Sequence, residues 1–174
     1  MFKIIPIAAI AAGFANTNAS STFYVCATPQ NADLDQSGFE ALSWVEVGAV
    51  GQVGETGENT NILSYDTWNT DVIQKGKGMT NAGDPTLETA RIADDAGQVI
   101  MRAAGATNFN YAFKIVGNDK PNDDPASRST TRYNRGLVTG PTEPNGRNED
   151  FDLEVYTLGL QQRQIKVAPV DGTV

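Results

Sequence analysis

Apolar and polar residues alternate at a spacing of two over several short stretches of this chain, the pattern of strands with one buried face. Thr86 to Ile92 alternates in this way, and Phe109 to Val116 places Phe109, Tyr111, Phe113 and Ile115 on one side. In Phe151 to Leu160 the residues Phe151, Leu153, Val155 and Thr157 read as the core face, opposite Asp152, Glu154 and Tyr156. Phe23–Ala27, Ile62–Tyr65, Arg132–Val138 and Gln164–Val167 are further strands, and Trp44 to Val53 is extended but broken at Gly48 and Gly51. One segment has helical spacing: Asp94 or Asp95 caps it, Val99, Ile100, Ala103 and Ala104 share a face, and Gly105 closes it. A shorter helical turn is expected at Gly38–Leu42. With no heptads, no internal repeat and no βαβ alternation, the fold class is mainly β. It is a β-sandwich or barrel of about seven to nine strands with one flanking α-helix.

Between the strands, Asp66 to Pro85 shows no hydrophobic period and is punctuated by Gly76, Gly78 and Gly83. It belongs to a long inter-strand loop, residues 59–85, and a loop of that length in a compact domain usually has a job of its own. A second polar stretch, the insert at 117–129, reads as disordered. Residues 22–174 form one β domain. Before it, residues 1–21 form an apolar arm: Lys3 precedes the run Ile4 to Ala12, and small and polar residues end at Thr17-Asn18-Ala19. This layout is that of a secretory signal with cleavage after Ala19. The run is too short and too interrupted, by Pro6 and Gly13, to span a membrane as a helix. The expectation is that the arm is retained and covered by a neighbouring subunit, with Ile4 and Ile7 among its contacts.

Composition narrows the chemistry. The 174 residues carry 13 Lys and Arg against 21 Asp and Glu, a net charge of −8. Tight binding of nucleic acid by an isolated monomer is therefore not expected, because phosphate affinity comes from clustered Lys and Arg. There is no His and one Cys. That removes His-based general bases, Ser-His-Asp and Cys-His pairs, and the usual zinc sites. Cys26, in the strand Phe23–Ala27, reads as a small buried apolar residue. Asp33-Leu34-Asp35-Gln36-Ser37-Gly38 begins like a calcium loop, but Trp44 stands where a bidentate Glu is needed, so a capped turn is expected. Lys75-Gly76-Lys77-Gly78 lacks the glycine and the Ser or Thr of a phosphate loop, and reads as a solvated hairpin or a subunit contact. Asp94-Asp95 and Asp123-Asp124 are explained as a helix cap and a turn. No catalytic constellation, metal site or cofactor is expected, and the chain is read as no enzyme.

Several segments in fixed order carry a resemblance: Glu40-Ala41-Leu42-Ser43-Trp44-Val45-Glu46-Val47-Gly48, Lys75-Gly76-Lys77-Gly78 with Ala82-Gly83, Thr86 to Arg91, Asp95-Ala96-Gly97-Gln98, and Tyr111-Ala112-Phe113-Lys114. Together, over residues 22–168, they resemble the major tail tube protein of long-tailed, non-contractile bacteriophages. The resemblance implies a β-sandwich or barrel with a flanking helix, assembling as hexameric rings that stack into a hollow tube. Its implied partners are other copies of itself, the tape measure protein, and the tail terminator and distal tail proteins. Double-stranded DNA passes through without sequence-specific contact, and no membrane is involved. The implied location is the virion tail, assembled in the host bacterial cytoplasm. In that family the long loop reaches the neighbouring ring, which maps onto about Asn59 to Pro85; the apolar arm and the insert lie outside the family pattern.

Physical reasoning agrees with this picture. An acidic protein lines a channel without gripping a polyanion, and Asp152 and Glu154 are candidates to face the lumen. Tyr65 and Trp68, aromatic residues in polar sequence, are candidate contact anchors together with Lys75 and Lys77; covering a satellite core under the loop is the other reading of the two aromatics. Two other functions stay open. A secreted β-sandwich binding module, surface or pilus-like, requires a mature N-terminus at about Ser20. A hydrolase using carboxylate-held metal requires about four acidic side chains converging from separate strands.

Overall fold

Strand β7 (Tyr111–Val116) lies between two cores, with Lys114 half-buried over the Tyr24 and Trp44 rings on its second face. The computed structural model describes Ala15 and residues 17–172. On one side of β7, Tyr111, Phe113 and Ile115 point into the main core. They meet Phe23 and Val25 of β1 (Thr22–Val25), with the Phe23 and Phe113 rings 5.9 Å apart. On the other side Ala112 joins a smaller core with Cys26, Phe39 and Tyr133. Cys26 is thus the buried apolar residue its strand context predicts. Each fully buried Phe contributes about 1.5–3 kcal/mol through removal of its surface from water.

The elements follow in chain order: α1 (Gln36–Glu40), β2 (Val45–Glu46), β3 (Val50–Val53), β4 (Asn59–Tyr65), β5 (Gln74–Asn81), β6 (Thr86–Ala90), α2 (Ala96–Gly105), then β7, β8 (Thr131–Thr142), β9 (Leu153–Leu160) and β10 (Ile165–Val167). The main sheet is antiparallel in the order β2-β1-β7-β8-β9-β6-β3, and β10 pairs with the start of β8. The long β8 joins the two layers of the sandwich: Thr131–Gly136 pairs with β7, and Gly136–Thr142 pairs with β9. At the switch, a Cβ on Gly136 would stand 2.2 Å from the Gly159 carbonyl oxygen, so only glycine permits the approach. Among the described residues the ten strands outnumber those expected because the segment Trp44–Val53 divides into β2 and β3 and because β5 was not foreseen.

Helix α1 is capped by Asp35, which accepts a 2.7 Å hydrogen bond from the Gly38 amide; the segment that begins like a calcium loop is this cap. The helix begins at Gln36, two residues before the expected Gly38. It lays Phe39 on Tyr133 with ring centroids 5.2 Å apart, closing the smaller core.

Helix α2 is capped by Asp95, which accepts from the Gln98 amide at 2.8 Å and also from the Gly48 amide at 3.2 Å. One carboxylate thereby fixes both the helix start and the β2–β3 turn. The buried residues are Gly97, Gln98, Met101 and Ala104; of the expected face Ala104 is buried and Ile100 packs half-buried against the core, while Val99 and Ala103 are exposed. Val99 is 47% exposed. Gln98 faces inward because it has four partners: its amide nitrogen donates to the Gly48 and Ala90 carbonyls, and its oxygen accepts from the Ile92 amide and from Arg102 Nη2. A buried polar side chain is tolerated when its groups are satisfied, and hydropathy alone does not register that.

Strand β9 is also turned over relative to the sequence reading. Glu154, Tyr156, Leu158 and Leu160 face the core, while Thr157 is exposed and Phe151, before the strand, is 81% exposed. Phe109 likewise lies outside β7, exposed at its start. The insert at 117–129 is folded onto the C-terminal segment. Arg128 and Val170 exchange two backbone hydrogen bonds of 2.9 Å, Ser127 Oγ donates to the Val170 carbonyl, and Asp119 accepts from the Thr130 amide and hydroxyl. Polar composition here reflects local hydrogen bonding by short side chains.

Candidate assembly surface

Strands β4 and β5 pair only with each other, forming a two-stranded arm apart from the main sheet. The stretch Asp66–Pro85 is therefore not the irregular loop the sequence predicts: Gln74–Asn81 is a full strand. The missing hydrophobic period has a physical cause. Neither face of the arm packs against the body, so no alternation is needed to mark an inside.

Register assigns the side chains. Ile62 opposes Lys77 and Ser64 opposes Lys75, so these four share one face, and the register shifts between the Ile62–Lys77 pair and Thr60–Thr80. Leu63 and Tyr65 lie on the other face, opposite Gly76 and Gln74. Leu63 lies across Gly78, where an added Cβ would come within 3.2 Å of its side chain. The turn from 66 to 73 carries Trp68, Val72 and Ile73, and all the large apolar side chains of the arm are exposed. Trp68 is fully exposed, so the two aromatics cover no satellite core. Apolar side chains are thus exposed on both faces and at the turn of the arm. Among the described residues, Lys75 and Lys77 form no ion pair.

At its root the arm leaves the body through Gly57 and Gly83, with φ of +141° and +99°. A Cβ on Gly83 would stand 2.9 Å from the Gly57 carbonyl oxygen. These two positions let both chains turn away from the sheet side by side. A cleft of about 560 Å³, lined by residues 54–59, 81 and 83–86, separates arm from body. An exposed ion pair across it, Arg163 to Glu58 at 3.1 Å, contributes little at that level of solvation.

The other sequence candidates fall as follows. Ile4 and Ile7 lie outside the described residues. Asp152 is exposed and pairs with Arg91 at 3.4 Å. Glu154 is 1% exposed, so a carboxylate expected to face a lumen is instead a core group. It accepts from Arg102 Nε at 2.9 Å and from the Tyr156 hydroxyl at 2.6 Å, with Arg91 Nε at 3.5 Å. Sequence held one signal for this: Tyr156, Leu158 and Leu160 share parity with Glu154. Burial and then the hydrogen bond to Glu154 push the Tyr156 hydroxyl far up, keeping it a neutral donor. Burial disfavours the Arg102 charge, but Glu154 outweighs it and the guanidinium is held above its usual value. Arg102 also donates to the carbonyls of Ile92 and Ala93, so this cluster clamps α2, its leading loop and β9 together. Its members are consumed in packing and are not arranged around an open cavity. Arg135 is similarly buried, tied to Asp33, Gln162 and the Gln30 carbonyl.

No protein-family model matches the chain, and no curated protein matches it in sequence. Solved structures do match its fold. A chain in the cryo-EM structure of the extended-state sheath/tube terminator of PVC, an extracellular contractile injection system, superposes with a TM-score of 0.65 at 13% identity, covering 91% of this chain and 100% of that one. A chain in the six-fold symmetrised baseplate of the anti-feeding prophage gives a TM-score of 0.64 at 7% identity, covering 90% and 97%. At these identities the likeness is one of fold.

Proposed function

We propose that this chain is a structural component of a phage-type tail, and specifically a tube subunit that self-assembles into hexameric rings stacked into a hollow conduit for double-stranded DNA. The observation that carries the reading is the β4–β5 arm, which exposes Ile62, Leu63, Tyr65, Trp68 and Met79 with no surface of its own body to cover them. An isolated two-stranded hairpin is marginal in water, so an arm of this kind gains its order from a neighbour. The fold shared with chains in two contractile injection assemblies supports a tail role.

In this reading the protein is not an enzyme, and it works in the virion tail after assembly in the host cytoplasm. It meets the tape measure, terminator and distal tail proteins at the conduit's interior and ends. Tyr65, Trp68, Lys75 and Lys77 make subunit contacts, Asp152 remains a candidate for the lumen, and the residues before 22 stay attached and pack on a neighbour.

Electron microscopy of the purified chain at rising concentration, with intact mass measured on the same sample, tests this. The expected result is rings or tubes of full-length chain. Replacing residues 59–81 by a short Gly-Ser linker should leave a folded monomer that no longer assembles, and Trp68→Ser should weaken assembly while leaving monomer melting within about 0.5 kcal/mol of the parent. A monomer beginning near Ser20 would establish the secreted binding module instead, and tubes built from the armless variant would overturn the role given to the arm.

A further inference from the structure

The root of the apolar arm and an acidic loop lie at opposite ends of one strand pair. The arm enters the main sheet at Thr86, opposite Thr157, while Ala90 at the far end of β6 lies opposite Leu153, where the β8–β9 loop returns. Four residue steps at roughly 3.3 Å separate the two ends by about 13 Å, so the arm root and this loop lie at opposite poles of the β6–β9 pair. The loop, residues 143–152, is exposed throughout and carries Glu143, Glu149, Asp150 and Asp152 against a single Arg147. Phe151 stands among them, 81% exposed. The arm offers the complement: Lys75 and Lys77 beside Ile62 on one face.

We infer that the Lys75/Lys77 face of the arm docks on the acidic β8–β9 loop of a second copy of this chain, with Phe151 covered by Ile62. This deepens the assembly reading and rests on it. Poles that are complementary but not identical make a heterologous, head-to-tail contact, which propagates into a ring or a filament rather than closing a two-fold dimer. Charge complementarity selects the second copy as occupant. The arm is itself neutral, its two lysines balanced by Asp66 and Asp71, so the whole net charge of −8 is carried by the rest of the chain. A DNA backbone would meet the lysines but leave Ile62 in water, whereas the loop supplies carboxylates and an aromatic ring together.

The test is charge reversal in the full-length chain, read by sedimentation and electron microscopy in about 50 mM salt, where surface charge is weakly screened. Lys75→Glu with Lys77→Glu, and separately Glu143→Lys with Glu149→Lys, should each raise the concentration needed for assembly by about tenfold or more. Glu143 and Glu149 make no ion pair among the described residues, and monomer melting should be unchanged. Combining all four reversals in one chain should restore assembly to within about threefold of the parent. Parent tubes that form while the lysine reversals assemble equally well, or a fourfold variant no better than the pairs, would overturn this contact alone. Tubes that form normally but lose retained DNA on lysine reversal would also overturn it, assigning the lysines to the polyanion. A parent chain that never assembles would overturn the assembly reading and the contact together.

Discussion

Arg102 on α2 and Glu154 on β9 form a 2.9 Å ion pair in which the carboxylate is almost wholly buried. The pair compensates the one charged side chain on the inward face of β9, beside Tyr156, Leu158 and Leu160. Glu154 has further donors in Tyr156 and a nearby Arg91, so its charge is compensated on several sides.

Removing Arg102 leaves that carboxylate with weaker partners and frees the Ile92 and Ala93 carbonyls. Breaking a buried pair from one side is costly, and with Tyr156 and Arg91 still present Arg102→Met should destabilise by about 2–3 kcal/mol. For a chain of this length that is a fall in Tm of roughly 6–10 °C, read by thermal melting. An unchanged Tm would mean that Arg91 alone neutralises Glu154.

Gly97 provides a prediction whose sign separates local from tertiary control. In an isolated helix Gly→Ala stabilises by up to roughly 1 kcal/mol. Here a Cβ would stand 2.2 Å from the Glu46 carbonyl oxygen and 2.6 Å from Val47 Cα, both backbone atoms that cannot swing aside. Gly97→Ala should therefore destabilise, by about 2 kcal/mol or more, measured by denaturant unfolding. A gain in stability would mean that α2 is not held this close to β2.

Asp119 makes the folded insert sensitive to acid. Its hydrogen bond from the Thr130 hydroxyl, opposed by partial burial and aided by the Thr130 amide and Arg132, holds its carboxyl below the ordinary range. A group with a depressed folded pKa contributes stability that is fully present above its unfolded value, near about 4, and lost as pH falls through the folded value. Between pH 6 and the acid limit, Asp119→Asn should therefore show a shallower loss of stability than the parent, seen as a smaller difference in Tm. Parallel Tm curves for the two proteins would remove Asp119 from the pH response.

How legible the molecule was in sequence depends on what each residue had to satisfy. The strands β1, β6, β7 and β10 and the caps at Asp35 and Asp95 were legible, because period-two burial and short side chains bonding to nearby amides are local effects. The arm was legible only in part: Tyr65, Trp68, Lys75 and Lys77 could be picked out, but not the strand β5. A strand that buries neither face has no hydrophobic period to read.

The sequence by itself determined a mainly β chain with one substantial helix, a buried Cys26, a net charge of −8 and a lack of His that removes His-based catalysis. Those properties are sums over residues or follow from neighbours a few positions apart. Only the tertiary structure decided that Glu154 and Gln98 lie inside, that Val99 and Phe151 lie outside, and that residues 59–81 stand off the body as a paired arm. Whether a polar group can be buried depends on donors brought from distant positions, Arg102 for Glu154 and the Gly48 and Ala90 carbonyls for Gln98. Such partners exist only once the chain has folded.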